Sequence, residues 1–396
     1  MSALAQACER FPPDDWRNGG FALYIHWPFC QSRCPYCDFN AHVRDRIDQK
    51  AWGAAYLKEL SRVQLLTLGR SVDSIFFGGG TPSLMDPETI AEILAHIRRL
   101  WKLAADAEIT MEANPGSAEA QRFAAYHGEG VNRLSLGVQA LNDHDLRRLG
   151  RRHSADEARA AFDIARQIFT HTSFDLIYAR QYQSLADWQR ELKSAISMGA
   201  DHLSLYQLSI EAGTAFADRR ARGLLYGLPD ENLAADLYQC TAEICEAAGL
   251  TNYEVSNYAR SGAEGRHNLI YWRYGDYIGI GPGAHGRLTL GGKRYAVASV
   301  RQPEAWLQAV AQGCGELSRK TLSASEQADE MMLMGLRLRE GVDVARWERV
   351  ARRSLSAQSC ARLQDMGMIR QEEGRLYATA QGRLVLNALL VELMKQ

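Results

Sequence analysis

Phe21-Ala22-Leu23-Tyr24-Ile25-His26-Trp27-Pro28-Phe29-Cys30-Gln31-Ser32-Arg33-Cys34-Pro35-Tyr36-Cys37 is an apolar run that reads as a strand and ends in three cysteines within eight residues. A loop this tight can aim three thiolates at one cubic iron-sulfur cluster, and three ligands for four irons leave one iron open. An electron-transfer ferredoxin gives every iron a protein ligand, so the open corner implies a small molecule bound to the metal itself. The competing reading is a zinc site completed by His26 or His42, but structural zinc sites usually pair two short knuckles and no second knuckle follows. The other five cysteines, Cys8, Cys240, Cys245, Cys314 and Cys360, are scattered without ligand spacing and read as ordinary thiols.

Working outward, six short apolar or β-branched runs each precede a stretch of helical periodicity. The expected strands are Ala22 to His26, Ser74 to Phe77, Glu108 to Glu112, Arg133 to Gln139, Phe174 to Tyr178 and His202 to Gln207. The helices between them are Ala51 to Leu68, Pro87 to Leu103, Ala118 to Tyr126, Asp143 to Leu149, Ala155 to Phe169 and Leu185 to Met198. Parallel strands need a crossover and helices supply it, so six βα units predict an α/β fold with a parallel sheet curved into a partial (β/α)6 barrel. Chemistry in such barrels gathers at the C-terminal ends of the strands. The unusual polar residues fall there: the cysteines after the first strand, Gly78-Gly79-Gly80-Thr81-Pro82 after the second, Glu112 on the third, Gln139 on the fourth and Asp175 on the fifth. The three glycines fit a close backbone approach to a ligand or a plain turn before Pro82; a phosphate loop would need a following Lys-Ser or Lys-Thr.

Beyond about Ser209 the pattern changes to a helix from Glu231 to Ala248 and a Gly- and aromatic-rich stretch from Arg266 to Gly292. From Ser323 the chain reads as helices Met331 to Leu338, Val344 to Arg352 and Ser356 to Met366, a hairpin Met368 to Thr379 turning at Glu373-Gly374, and a last helix Ala380 to Met394. That order resembles a winged helix. Twelve Lys or Arg against ten Asp or Glu from Lys320 to Gln396 are too balanced for a duplex footprint, so packing or docking is expected there, with no nucleic acid. The expected division is an N-terminal arm over 1–20, the barrel over 21–210, an α/β extension over 211–320 and a C-terminal helical, winged-helix-like domain over 321–396.

Composition sets the class. Hydrophobic residues make up 46% of the 396 and charged residues 23%, ordinary for a globular protein, and a formal net charge of -1 gives no field favouring nucleic acid or acidic lipid. The first twenty residues lack the apolar core of a secretory signal and no apolar run approaches membrane-spanning length, so a cytoplasmic location with reduced thiols is expected.

The motifs together resemble a known family along nearly the whole chain. Cys30-x-x-x-Cys34-x-x-Cys37 with Tyr36 before the last cysteine is similar to the signature of radical S-adenosylmethionine proteins. Leu23-Tyr24-Ile25-His26-Trp27-Pro28-Phe29-Cys30, Gly78-Gly79-Gly80-Thr81-Pro82, Glu112-Ala113-Asn114-Pro115 and Leu136-Gly137-Val138-Gln139 narrow the resemblance to the branch of oxygen-independent coproporphyrinogen III oxidases and the related haem chaperones. It implies a [4Fe-4S] cluster on Cys30, Cys34 and Cys37, whose open iron is chelated by the amino and carboxylate groups of S-adenosylmethionine. By the same resemblance Tyr24, Gly79, Gly80, Thr81, Glu112, Gln139, Arg151 and Asp175 would line the pocket for that molecule. A ligand carboxylate suits the Arg151 guanidinium, and ribose hydroxyls suit Glu112, Gln139 and Asp175. Arg151 also lies in a run with Arg147, Arg148 and Arg152 that reads equally as a solvated helix end.

Two departures bear on function. The oxidases, by the resemblance, carry a fourth cysteine two positions after the third, where this chain has Phe39. Arg266-His267-Asn268-Leu269-Ile270-Tyr271-Trp272 fits the H-N-x-x-Y-W pattern of the chaperone branch, which implies haem binding by His267, Asn268, Tyr271 and Trp272. An imidazole is a standard axial haem ligand and Tyr and Trp pack on a macrocycle, while a loop histidine also serves simply to satisfy backbone groups. The 29 residues before Cys30 are also short against the leading segment of the oxidases. A third departure is the turn Ala179-Arg180-Gln181-Tyr182-Gln183, where relatives have a Gly-Leu-Pro-Gly-Gln-like sequence.

The reading is therefore a haem chaperone that binds a [4Fe-4S] cluster, S-adenosylmethionine and haem. Its expected partners are haem and haem-acceptor proteins, the membrane haemoproteins of respiration, reached from the cytoplasm at the periphery of the inner membrane; a homodimer is compatible with it. The alternative is an enzyme of porphyrin biosynthesis, converting coproporphyrinogen III to protoporphyrinogen IX by radical S-adenosylmethionine chemistry. A zinc-stabilised docking protein is the third.

Overall fold

Six parallel strands stand side by side in chain order: β1 (Phe21–Trp27), β2 (Ser71–Gly79), β3 (Lys102–Ala113), β4 (Arg133–Gln139), β5 (His171–Tyr178) and β6 (His202–Gln207). They belong to a computed structural model that describes residues 14–395, apart from the side chains at 117 and 118; Cys8 and most of the expected arm lie outside the described residues. Alternation explains the curvature. Leu23, Ile25 and Trp27 join the core under the helices, with Trp27 against Trp52 and Tyr56 of helix Gln49–Gln64, whereas Tyr24 and His26 face inward and share a 3.0 Å hydrogen bond.

The sheet continues past both barrel edges to twelve strands. Asp276–Ile280 adds to β1 in parallel and is followed by antiparallel His285–Leu290, Lys293–Ser299 and Glu316–Thr321. At the other edge Asn257–Ala259 pairs antiparallel to β6, with Thr251–Asn252 outside it. The outer helix layer is tied across the sheet by Trp52 and Trp306, stacked with planes 1° apart and ring centres 5.7 Å apart.

Residues beyond Leu322 form a second core around Met332, Leu336, Trp347, Leu376 and Leu390. Its hairpin turns at Glu373 and Gly374, with φ of 50° and 76°, a two-residue left-handed turn that matches strand twist. A short strand, Val342–Asp343, completes a three-stranded sheet. This unit is bolted to the barrel by Arg346, whose guanidinium pairs with buried Asp15 at 2.8 Å and donates to the Arg273 carbonyl at 2.7 Å.

Several boundaries differ from expectation, among them the first helix, Gln49–Gln64, and the longer strands β2 and β5. β3 starts at Lys102, because Lys102 and Leu103 already pair with Ser71 and Val72 before an irregularity ahead of Glu108. The helix expected over Ala118 to Tyr126 is two pieces, Ser117–Ala120 and Phe123–Gly128, the second pinned by the Tyr126 hydroxyl donating to the Ser83 and Met85 carbonyls. The helix expected from Met331 begins at Ala324, where Ser323 and Glu326 form a capping box. The last helix breaks at Val385 into Ala380–Leu384 and Leu386–Met394. Among the described residues no helix is long and apolar enough to cross a membrane.

Candidate functional site

A cavity of about 580 Å³ opens at the C-terminal ends of the barrel strands and brings Cys30, Cys34 and Cys37 together with Gly79, Gly80, Thr81, Glu112, Gln139, Arg151 and Asp175. Tyr24 does not line it; its hydroxyl sits deeper, on His26 Nδ1. The cysteine loop is shaped by a turn in which Cys37 N–H donates to the Cys34 carbonyl at 3.1 Å, and it is held from outside by His42 N–H on the Pro28 carbonyl at 2.7 Å. Thr81 Oγ1 donates to Cys30 Sγ at 3.4 Å and Arg151 Nη1 to Cys34 Sγ at 3.6 Å. Burial pushes the Cys37 thiol up to about 11 and raises Cys30, where the Thr81 hydrogen bond pulls the other way.

The glycines have a protein reason. A Cβ on Gly78 would lie 2.8 Å from the Phe76 ring, on Gly79, at φ +113°, 2.6 Å from the His26 ring, and on Gly80 2.6 Å from the Phe29 carbonyl. The close approach is to the end of β1, and it lets Gly79 N–H reach Glu112 Oε2 at 3.2 Å.

Beneath the cysteines the site holds two half-buried carboxyl groups. Burial pushes Glu112 up to about 8, the Asp175 charge adding to it and the Gly79 hydrogen bond opposing. Asp175 rises to about 6 by burial, against hydrogen bonds from Ser204 and Ser135. Arg151, one of three arginines on the cavity with Arg33 and Arg152, lies against Cys34, and its Nη2 donates to Asn114 Oδ1 and to the Gly137 carbonyl, both at 2.7 Å. Gln139 closes β4 at φ 71°, and its Oε1, like Arg151 Nε, is buried without a partner.

These features test the fit of the implied groups. Three thiols on one loop, a guanidinium beside them, and an orphaned acceptor and donor on two residues of the cavity lining suit a cluster with an open iron and a zwitterionic, hydroxylated ligand on it. A single-metal site fits worse: among the described residues no three His, Cys, Asp or Glu side chains gather as its ligands. Both ring nitrogens of His26 are engaged, with Tyr24 and the Asn40 carbonyl, and His42 faces Asn40 Oδ1 at 3.3 Å. Asn114 was not singled out as a site residue from sequence, though it sits in the quoted Glu112-Ala113-Asn114-Pro115 motif; it also donates to Thr81 Oγ1 at 3.2 Å, joining two walls of the cavity. Phe39 stands at the cavity rim, 59% exposed.

The H-N-x-x-Y-W residues lie outside this cavity. They form the helix Arg266–Trp272 at the opposite, N-terminal end of the barrel, where Glu108 accepts from the Arg266 and His267 amides at 3.1 Å each. His267 is 1% exposed, its Nδ1 lies 3.0 Å from Ser74 Oγ and its Nε2 2.6 Å from the Tyr271 hydroxyl, and Phe76 stacks on the ring at 4.8 Å. Burial holds its pKa down to about 3, so the ring is neutral. Asn268 donates to the Tyr253 hydroxyl at 3.3 Å, and Trp272 faces away to a separate 270 Å³ cavity against the C-terminal unit. In this structure the imidazole presents neither a free nitrogen nor surface, so haem ligation by His267 would require its contacts with Ser74 and Tyr271 to open.

The atypical turn after β5 is also explained. Ala179 and Tyr182 take the left-handed φ of 57° and 60° that glycine would adopt more readily. Arg180, 3% exposed, holds them there by donating to the Ile177 carbonyl at 2.7 Å and to Asp145 Oδ2 at 3.1 Å, and by pairing with Glu191.

Comparison with known proteins gives a consistent picture. The Radical SAM superfamily profile matches residues 24–195 and the HemN C-terminal domain profile residues 322–385. The chain is 38% identical over 418 residues to the mitochondrial radical S-adenosyl methionine domain-containing protein 1 of Bos taurus, covering 100% of this chain and 94% of that one. It is 40% identical over 322 residues to the heme chaperone HemW of Escherichia coli strain K12, covering 81% and 83%. Among solved structures, the E. coli coproporphyrinogen III oxidase HemN, a radical SAM enzyme, superposes with a TM-score of 0.79 at 24% identity over 96% of this chain and 92% of its own, which shows the shared fold.

Proposed function

The chain belongs to the HemW family of radical S-adenosylmethionine proteins, and from that premise we propose that it is a haem chaperone. Cys30, Cys34 and Cys37 would hold a [4Fe-4S] cluster, and Arg151 the carboxylate of S-adenosylmethionine. Glu112, Gln139 and Asp175 would take its hydroxyl and amino groups, Gly79, Gly80 and Thr81 would form a wall, and Tyr24 would support that wall from below. When bound, the cluster and its ligand supply redox chemistry at the open iron. The protein's own part is to keep a guanidinium against Cys34, a hydroxyl on Cys30 and two half-buried carboxyl groups on the cavity wall. Haem is the cargo and respiratory membrane haemoproteins are the recipients; the floor residues His267, Asn268, Tyr271 and Trp272 serve the fold.

The observation that carries this reading is the convergence of the three cysteines with Glu112, Gln139, Arg151 and Asp175 on one cavity. We further infer the division into arm, barrel, extension and C-terminal domain at about 20, 210 and 320; the separate core beyond Leu322 supports the last boundary, and limited proteolysis that spares 320–323 would remove it. The function is tested on anaerobically reconstituted protein by iron and sulfide counting, EPR spectroscopy and haem titration. The expected result is a cubane signal and a stoichiometric Soret band. Conversion of added coproporphyrinogen III to protoporphyrinogen would replace the chaperone reading with the oxidase.

A further inference from the structure

Between β6 and the helix Glu231–Ala247 the chain crosses the barrel mouth as a strap, residues 209–230, which includes the helix Ala215–Ala221. It is fastened at two points. Near its start Phe216 N–H donates to the Pro35 carbonyl at 2.9 Å, between Cys34 and Tyr36, and the Phe216 ring packs on Tyr36 with centres 6.5 Å apart. Near its end the Gly227 carbonyl accepts from Tyr182 N–H at 2.6 Å and the Tyr226 carbonyl from Gln181 Nε2 at 2.7 Å, with the Tyr182 ring filling the place of a Cβ on Gly227. The atypical turn after β5 is thus the anchor of the strap.

Phe216 is 1% exposed, yet it belongs to a small apolar cluster with Leu146, Leu149 and Ile177 that is separate from the barrel core. The partner of its ring, Tyr36, carries its hydroxyl beside Arg151 and Cys34. On the other side of the loop Gly150 leaves room for Pro35, whose Cδ lies 2.6 Å from where a Cβ would be. The cysteine loop is therefore clamped between Gly150 and Phe216, and the far end of the Phe216–Tyr36 contact is the pair that faces cluster and ligand.

We infer that Phe216 is a positioning residue: through Tyr36 and Pro35 it sets the Cys34–Cys37 segment against Arg151, and so controls how S-adenosylmethionine seats on the cluster. The inference rests on the cluster and ligand assignment made above. A well-packed apolar contact fixes a loop by removing its alternative conformations, at the cost of no polar group. Truncating the ring frees Tyr36 to rotate and moves Arg151 relative to Cys34, while the barrel core remains untouched.

The test uses full-length, anaerobically reconstituted protein as wild type, Phe216→Ala and Phe216→Leu. S-adenosylmethionine affinity is measured by equilibrium dialysis, the reduced cluster by EPR with and without the ligand, and folding by thermal unfolding. In Phe216→Ala we expect affinity to fall about tenfold and the ligand-induced EPR change to be lost or altered, and in Phe216→Leu affinity within about threefold of wild type. Wild-type affinity and spectra in Phe216→Ala overturn the inference. So does a loss in both variants that only follows the fraction of folded protein. A wild-type sample without a cubane signal overturns the underlying cluster assignment instead, which separates the two failures.

Discussion

His267 Nε2 and the Tyr271 hydroxyl lie 2.6 Å apart, one helical turn from each other, at the sealed end of the barrel. The contact is part of a packed floor of Ser74, Phe76, Tyr24 and Tyr277 around a neutral imidazole. His267→Ala removes a buried ring and strands both of its hydrogen-bond partners, at a cost of about 2–4 kcal/mol of stability. Urea unfolding should show that loss, while haem titration of the folded variant should give the wild-type Soret intensity.

The carboxyl groups of the site make stability depend on pH. Glu112, at about 8 against an ordinary 4.5, and Asp175, at about 6 against 3.8, both hold their protons more tightly in the folded chain. Their contribution is complete below the ordinary carboxylate range, declines as pH rises, and is gone once pH passes the folded values, by up to about 1.4 kcal/mol per pH unit for each group. Between pH 5 and 8 the urea midpoint of ligand-free protein should therefore fall more steeply in wild type than in Glu112→Gln. Parallel curves for the two would refute the assignment.

Arg151 reaches Asn114, Gly137 and Cys34 at once through a planar fork that an ammonium does not reproduce. Arg151→Lys should keep its iron content and lose about tenfold in S-adenosylmethionine affinity, about 1.4 kcal/mol. Dialysis against labelled ligand measures it.

Arg180 stands between Asp145 and Glu191, and its removal would leave both carboxylates poorly hydrated and unpaired. Arg180→Ala should destabilise by about 3–5 kcal/mol. The double variant Arg180→Met with Glu191→Gln should recover part of it in thermal unfolding.

Much of this was readable in the chain. Arg133 to Gln139 and His202 to Gln207 are strands to the residue, because short leucine-bearing runs too brief for a helix, set between helical stretches, have few other outcomes. That the cysteine loop, Glu112, Gln139 and Asp175 would meet at one cavity was legible because the C-terminal strand ends gather polar residues, whereas Arg151, which follows a helix, was singled out only through the family resemblance. The packing of His267 was not. Its spacing to Tyr271 is that of any helix, and only the closed barrel shows that this face of the helix turns inward to Ser74 and Phe76. Nor was Phe216 readable, since a phenylalanine in a short helix carries no mark that its neighbour is Tyr36, 180 positions earlier. The same holds for Asp276–Ile280, whose pairing with β1 spans most of the chain and follows from no local pattern.

The sheet ends, beyond β1, in Glu316–Thr321, five of whose six residues are exposed. An uncovered strand is a template on which a second molecule can add its own, the first step towards fibres. Here Arg319 and Lys320 lie on that margin and are each paired with a carboxylate, Glu316 and Glu326, so a second strand added there would have to break those ion pairs. A concentrated solution of the chain should accordingly resist stacking through this side, and raised ionic strength should weaken that resistance.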